Sequence, residues 1–120
     1  MNRWVLLEHK IHSKNLFDIH YDFLIEDKLD CYTWKLQEIP ALNKGLVKIG
    51  KQPNHRLVWL SRAEYELSNN RGFVKRIDYG TFSFPAHKKY SQEFEIILNG
   101  NLLNGLLTID GGFCHLTKNN

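Results

Sequence analysis

Turn signals crowd the last third of this chain. Asn99-Gly100, Asn104-Gly105 and Asp110-Gly111-Gly112 punctuate short runs of strand formers at 93–98, 102–103, 106–109 and 113–117. Asn-Gly pairs accept the positive φ that tight hairpin turns require. Segments this short, between turns this close, predict an antiparallel meander. The rest of the chain has the same texture. Residues 19–26 alternate, with Ile19, Tyr21, Phe23 and Ile25 on one face and His20, Asp22, Leu24 and Glu26 on the other. A turn at Asp27-Lys28 joins them to a strand at 31–36. Trp4–Leu7 is a short apolar strand ending at Glu8-His9, and 73–84 is β-rich with a bend at Gly80. Asn69-Asn70-Arg71-Gly72 marks a turn before it.

Between these lies a less regular stretch. Residues 37–54 contain Pro40, Gly45, Gly50 and Pro53 and predict an irregular connection with one short strand near 46–49. The apolar run 56–60 predicts another strand. Residues 61–67 predict a helical turn, with Ser61 as N-cap and Glu64 three positions on. The expected architecture is all-β: one domain, 1–120, forming a small closed or nearly closed β-barrel with short helical turns. Closure is the economical way for short strands to lose their edges.

Composition narrows the classes. A chain with 42% hydrophobic and 24% charged residues is neither disordered nor membrane-like, and no apolar run approaches the roughly 20 residues that span a bilayer. Glu8 interrupts any signal-like apolar region, so a cytoplasmic location is expected. Cys31 and Cys114 are too few for a disulfide framework and read as buried thiols. The net charge of +3 hints at an anionic partner and decides nothing alone.

Histidines and acids give the sharper clue. If 19–26 is a strand, His20, Asp22 and Glu26 leave one face, which either meets water or lines a polar site. His9 and His55 each end an apolar run. Two histidines and a carboxylate from separate strands suit Mn, Fe or Zn, if they converge; solvated histidines are the plainer alternative. His12, His87 and His115 have less to mark them. Two rises along a strand place His20 and Asp22 about 6–7 Å apart, which predicts one group on an ion and the other beside it.

In order, the chain carries Glu8-His9, His20-Tyr21-Asp22-Phe23 with Glu26, Thr33-Trp34, Asn54-His55-Arg56-Leu57, Asn70-Arg71-Gly72-Phe73-Val74, Asp78-Tyr79-Gly80-Thr81-Phe82 and Leu98-Asn99-Gly100. This resembles the 3′-phosphoesterase domain of bacterial ATP-dependent DNA ligase D, the DNA polymerase/ligase N-terminal-domain family, over about residues 3–109, and most of all its shorter stand-alone branch. The resemblance implies a β-barrel hydrolase of DNA repair by non-homologous end joining. It would remove a 3′-phosphate or 3′-terminal ribonucleoside from a primer-template, with a divalent metal, Mn²⁺ above all and Zn²⁺ as another choice. It implies His9, Asp22 and His55 as metal ligands and His20 as the catalytic hydrogen-bond donor or acid-base group. The family's arginine two residues past the aspartate is Leu24 here, and the acid two residues before the last ligand histidine is Pro53. The proline after that histidine is Arg56, and the tyrosine a little further on is Trp59.

A phosphoesterase needs cations on its phosphate. With Leu24 in the clamp position, Arg56 becomes the first candidate for that catalytic role, and Arg71 and Lys35 join it as nucleic-acid contacts. Trp59 could stack on a base, whereas core packing is the plainer expectation for Trp34. The partners implied are DNA 3′ ends and a ligase acting in trans, with no membrane. The alternative reading is a non-catalytic metal- or DNA-end-binding barrel that has lost turnover. A small-ligand barrel with no nucleic-acid role is a third, opposed by the polar face of His20, Asp22 and Glu26.

Overall fold

A computed structural model describes residues 2–13, 16–67, 71–85 and 94–119. In chain order the elements are β1 (Arg3–Ser13), β2 (Leu16–Glu26), β3 (Cys31–Leu36), β4 (Val47–His55), a 3₁₀ turn (Leu57–Leu60), β5 (Glu64–Glu66), β6 (Phe73–Ser83), β7 (Phe94–Asn99), β8 (Asn104–Asp110) and β9 (Phe113–Thr117). The sheet runs β1-β2-β3-β4-β9-β8-β7-β6-β5, and β6 also pairs with β1. Eight strands, each antiparallel to its neighbours, therefore close into a ring, and β5 hangs from the start of β6. This is the all-β, closed sheet that the meander predicts. Among the described residues no helix is long and apolar enough to cross a membrane.

The alternation read at 19–26 decides what lies on each side of the wall. Phe23 and Ile25 point into the ring and pack with Trp4, Leu6, Leu36, Ile96, Leu98 and Leu107. Their neighbours point out. Leu24 joins Val5, Leu7, Cys31, Leu60 and Val74 in a second, outer cluster, covered by Leu57, Trp59 and Leu67 from the segment between β4 and β6. β1 and β2 thus carry apolar residues on both faces, as a strand buried on both sides must. Cys31 and Cys114 are buried free thiols, one in each cluster. Burial pushes them up to about 11 and about 12 respectively.

Several local expectations are corrected. β4 runs from Val47 through Gly50 and Pro53 to His55, longer than the strand expected at 46–49. The apolar run after it is a 3₁₀ turn, and Ser61 closes that turn instead of opening a helix. Residues 64–66 are strand because they pair with 73–75 of β6. Asn104-Gly105 is no turn: Asn104 pairs with Asn99 and begins β8. Gly105 is required there because a Cβ would stand 2.4 Å from the Thr117 carbonyl oxygen. The turn expected at Asn69-Asn70 lies outside the described residues.

Asp78 holds the β7–β8 loop. It is buried on β6, and its carboxylate accepts the N–H groups of Tyr79, Asn101, Leu102 and Leu103 at 2.8–3.1 Å. Four backbone donors on one carboxylate fix the turn, and the buried Leu103 N–H would otherwise have no partner among the described residues. At Gly80 the neighbouring backbone comes too close for any side chain, since a Cβ would lie 1.7 Å from the Asn99 carbonyl oxygen.

Candidate metal and phosphate site

The site grows out of the β1–β2 register. His9 pairs with His20, and Leu7 with Asp22, so all four side chains leave the outer face together. Nδ1 of His9 lies 3.2 Å from Nε2 of His20, and the two rings meet at 66° with centroids 4.7 Å apart. Nε2 of His20 is 3.5 Å from Oδ1 of Asp22. One ligand atom from each of His9, His20 and Asp22 falls within 4.8 Å of the other two. The strand spacing predicted His20 and Asp22 too far apart to share an ion. Their tips converge, because a long imidazole leans along the strand.

Backbone carbonyls fix two of the histidines. Nε2 of His9 stands 3.0 Å from the Arg71 carbonyl oxygen. A carbonyl can only accept, so Nε2 carries the proton and the neutral ring offers the Nδ1 lone pair. Nδ1 of His55 stands 3.1 Å from the Pro53 carbonyl oxygen, which by the same reasoning leaves Nε2 as the lone pair. His20 has no such anchor. Its Nδ1 is buried without a hydrogen-bond partner among the described residues. Burial holds the His20 imidazole below the ordinary histidine value; Asp22 pulls the other way, and His9 and Lys35 add to the lowering.

Leu7, His9, Asp22, His55, Trp59, Leu67 and Val74 line one cavity of about 150 Å³ on this face. The three residues to which the resemblance gives metal ligation are all in its wall. His55 stands outside the tight cluster: it pairs with Cys31 on β3, and Cys31 with Glu26 on β2, at the far end of the outer face from His20. Trp59 is half-buried in the cavity wall, edge-on to Tyr65, with the Arg62 guanidinium 4.5 Å from its ring centroid. Trp34 packs partly buried against the interior core and stacks on Phe94 at 5.9 Å.

The proposed cations are spread out. Lys35 is exposed on β3 directly opposite Asp22. Arg56 and Arg71 are exposed, and the structure ties each to the site region through its carbonyl: Arg56 O takes the Cys31 thiol and Arg71 O takes His9. Leu24, in the family's arginine position, is fully buried in the outer cluster. His115 is on β9, opposite Thr108; the His12 side chain and His87 lie outside the described residues.

Gly72 is a site residue that the sequence does not mark as one. Its φ is +111°, and a Cβ there would lie 2.1 Å from the Lys10 carbonyl oxygen and 3.2 Å from His9 Nε2. Only glycine lets Arg71 bring its carbonyl up to His9. In the sequence Gly72 stands out only through the turn composition around it and its place in the Asn70-Arg71-Gly72-Phe73-Val74 segment of the resemblance. No protein-family model matches the chain, and a search of curated proteins gives no match.

Proposed function

We propose that this protein is a divalent-metal-dependent phosphoesterase that trims DNA 3′ ends in the cytoplasm before a ligase acts in trans. One observation carries the reading. His9 and His55 each have one ring nitrogen committed to a backbone carbonyl and line, with Asp22, a single cavity. Metal-ligating histidines have this second hydrogen bond as a rule, because it fixes the tautomer and turns the other nitrogen's lone pair outward. Two imidazoles and a carboxylate suit Mn²⁺ or Zn²⁺ and leave positions open. Such an ion supplies charge neutralisation at a phosphate and an activated water.

The chain's own groups do the rest. His9, Asp22 and His55 are the ligands. His20 donates its Nε2–H to the His9 lone pair in the free protein, and to a phosphate oxygen once that lone pair is committed. Burial disfavours the charged imidazole, and His20 serves as a hydrogen-bond donor through Nε2–H. Arg56 and Lys35 supply positive charge from the rim. Leucine at position 24, sealed inside the outer cluster, favours a second reading, in which the barrel binds metal or DNA ends without turnover.

The deciding experiment measures phosphate release from a 3′-phosphate primer-template by metal-free protein to which Mn²⁺ or Zn²⁺ is restored. Release that requires the metal supports the enzyme. Metal binding without release, on both this substrate and a 3′-ribonucleotide end, transfers the case to the binding module.

A further inference from the structure

A second cavity, of about 210 Å³, opens on the same outer wall and is lined by Lys35, Gln37, Lys48, Ile49 and Gly50. Its position follows from strand alternation. Leu36, Val47 and Ile49 belong to the interior core, so Lys35, Gln37, Lys48 and Gly50 leave the wall outward. Lys35 pairs with Gly50 across β3–β4, and the absent side chain at Gly50 is what leaves space beside the lysine. Both lysines line this cavity and no carboxylate does, and neither ammonium group makes a hydrogen bond or ion pair among the described residues. By contrast, the neighbouring Lys44 is tied to Glu38 at 2.8 Å. Two free cations and an amide around a hollow make a receptor for an oxyanion.

The cavity lies one strand over from the candidate metal site, since Lys35 in its lining is the cross-strand partner of Asp22. Asp22, Lys35 and Gly50 are successive cross-strand partners on β2, β3 and β4. Neighbouring strands lie about 4.8 Å apart, so the row crosses roughly 10 Å of wall. Lys48 pairs with Phe113 on β9, which is 46% exposed and offers an aromatic face beside the lysine. Cation, hollow and exposed ring in sequence are the elements with which proteins follow a single strand.

We propose that the Lys35–Lys48 cavity binds an internal backbone phosphate of a single-stranded nucleic acid, with Phe113 stacking on the adjacent base. The direction of the strand, its 3′ end toward Asp22, rests on the function proposed above; the phosphate site itself does not.

The test is therefore made without catalysis. Binding of a fluorescein-labelled single-stranded oligonucleotide with an ordinary 3′-hydroxyl is followed by anisotropy, in EDTA, across a salt series. Lys35→Ala and Lys48→Ala should each weaken binding and reduce the salt slope by about 1, and the pair together should cost about tenfold or more. Gly50→Glu puts a carboxylate between the lysines where a Cβ meets nothing nearer than Gln52 Nε2 at 3.8 Å. It should weaken binding as the double lysine variant does, and Gly50→Gln should weaken it less. Lys28→Ala removes the same charge from the β2–β3 loop and should leave binding nearly unchanged. Thermal melts check that each variant is folded. Parent protein that binds no oligonucleotide, or Lys35→Ala and Lys48→Ala variants no weaker than Lys28→Ala, overturns the proposal. Lysine-dependent binding by a protein with no 3′-end activity leaves the phosphate cavity standing and removes only the catalytic reading.

Discussion

Nδ1 of His9 and Nε2 of His20 lie 3.2 Å apart, close enough that one of them must donate and the other accept. The Arg71 carbonyl has already claimed the proton of His9, so His20 is the donor. Under the proposed function, that order would make His9 the ligand and His20 its hydrogen-bonding neighbour.

His20→Ala should accordingly keep most of its metal and lose about 10²–10⁴ in rate, the range for a positioned acid-base or donor group. Asp22→Ala and His55→Ala should lose the metal. Metal content by elemental analysis, beside 3′-phosphatase rates, tests all three. Metal lost from His20→Ala but kept by His55→Ala would make the tight cluster of His9, His20 and Asp22 the ligand set.

Gly72→Ala tests the support behind His9. Both the positive φ and the Lys10 carbonyl oppose a methyl group. The backbone must shift, at a cost of about 1–3 kcal/mol. Metal affinity should fall with it, because the Arg71 carbonyl no longer orients the ring. Chemical denaturation and a metal titration read the two effects separately. Unchanged metal affinity would show that the carbonyl does not matter to the ligand.

Asp78→Ala should destabilise the fold by about 3 kcal/mol or more while leaving the wall around His9 intact. It strands the buried Leu103 N–H, for which an unsatisfied donor costs about 1–3 kcal/mol, and removes the bonds of three part-buried donors at about 0.5–1.5 kcal/mol each. A urea melt measures it. A loss below about 1 kcal/mol would mean that water replaces the carboxylate freely.

The two thiols give a pH prediction. Both are held above their ordinary value of 9.0, Cys31 to about 11 and Cys114 to about 12. The folded chain therefore keeps protons that the unfolded chain releases. Their contribution is fully present below pH 9.0 and declines as pH rises through the folded values. Cys31→Ala with Cys114→Ala should flatten that alkaline decline in a series of melts. In the native parent, neither thiol should react with a maleimide at pH 8 on the timescale of an exposed cysteine.

The alternation from Ile19 to Glu26 was enough to read the two faces of the wall, because a strand with period two leaves little choice. The run at 56–60 was not, since a few apolar residues fit a strand or a 3₁₀ turn equally well. Asn104-Gly105 looks like a turn in sequence, and only the nearby Thr117 carbonyl explains its glycine as strand. For the site, residue types pointed to His9, His20, Asp22 and His55. The meeting of the first three depends on the cross-strand register, which no spacing along β2 encodes. The carbonyl anchors at Pro53 and Arg71 are backbone groups, and these have no sequence signature.

The outer cluster has a dynamic consequence. Among the described residues, the segment from Arg56 to Leu67 rests on the ring through a handful of apolar side chains, the three-residue pairing of β5 with β6, and a few hydrogen bonds such as Arg76 N–H to the Ala63 carbonyl and the Cys31 thiol to the Arg56 carbonyl. Because none of these contacts belongs to the pairing of the ring strands, the segment should open at a free energy below that of global unfolding. Amide protons on Trp59, Ser61 and Leu67, each bonded to a backbone carbonyl, should then exchange with solvent earlier than those of β2 and β8. The same opening would uncover the cavity that Trp59 and Leu67 line, and so admit a ligand too large for the closed form.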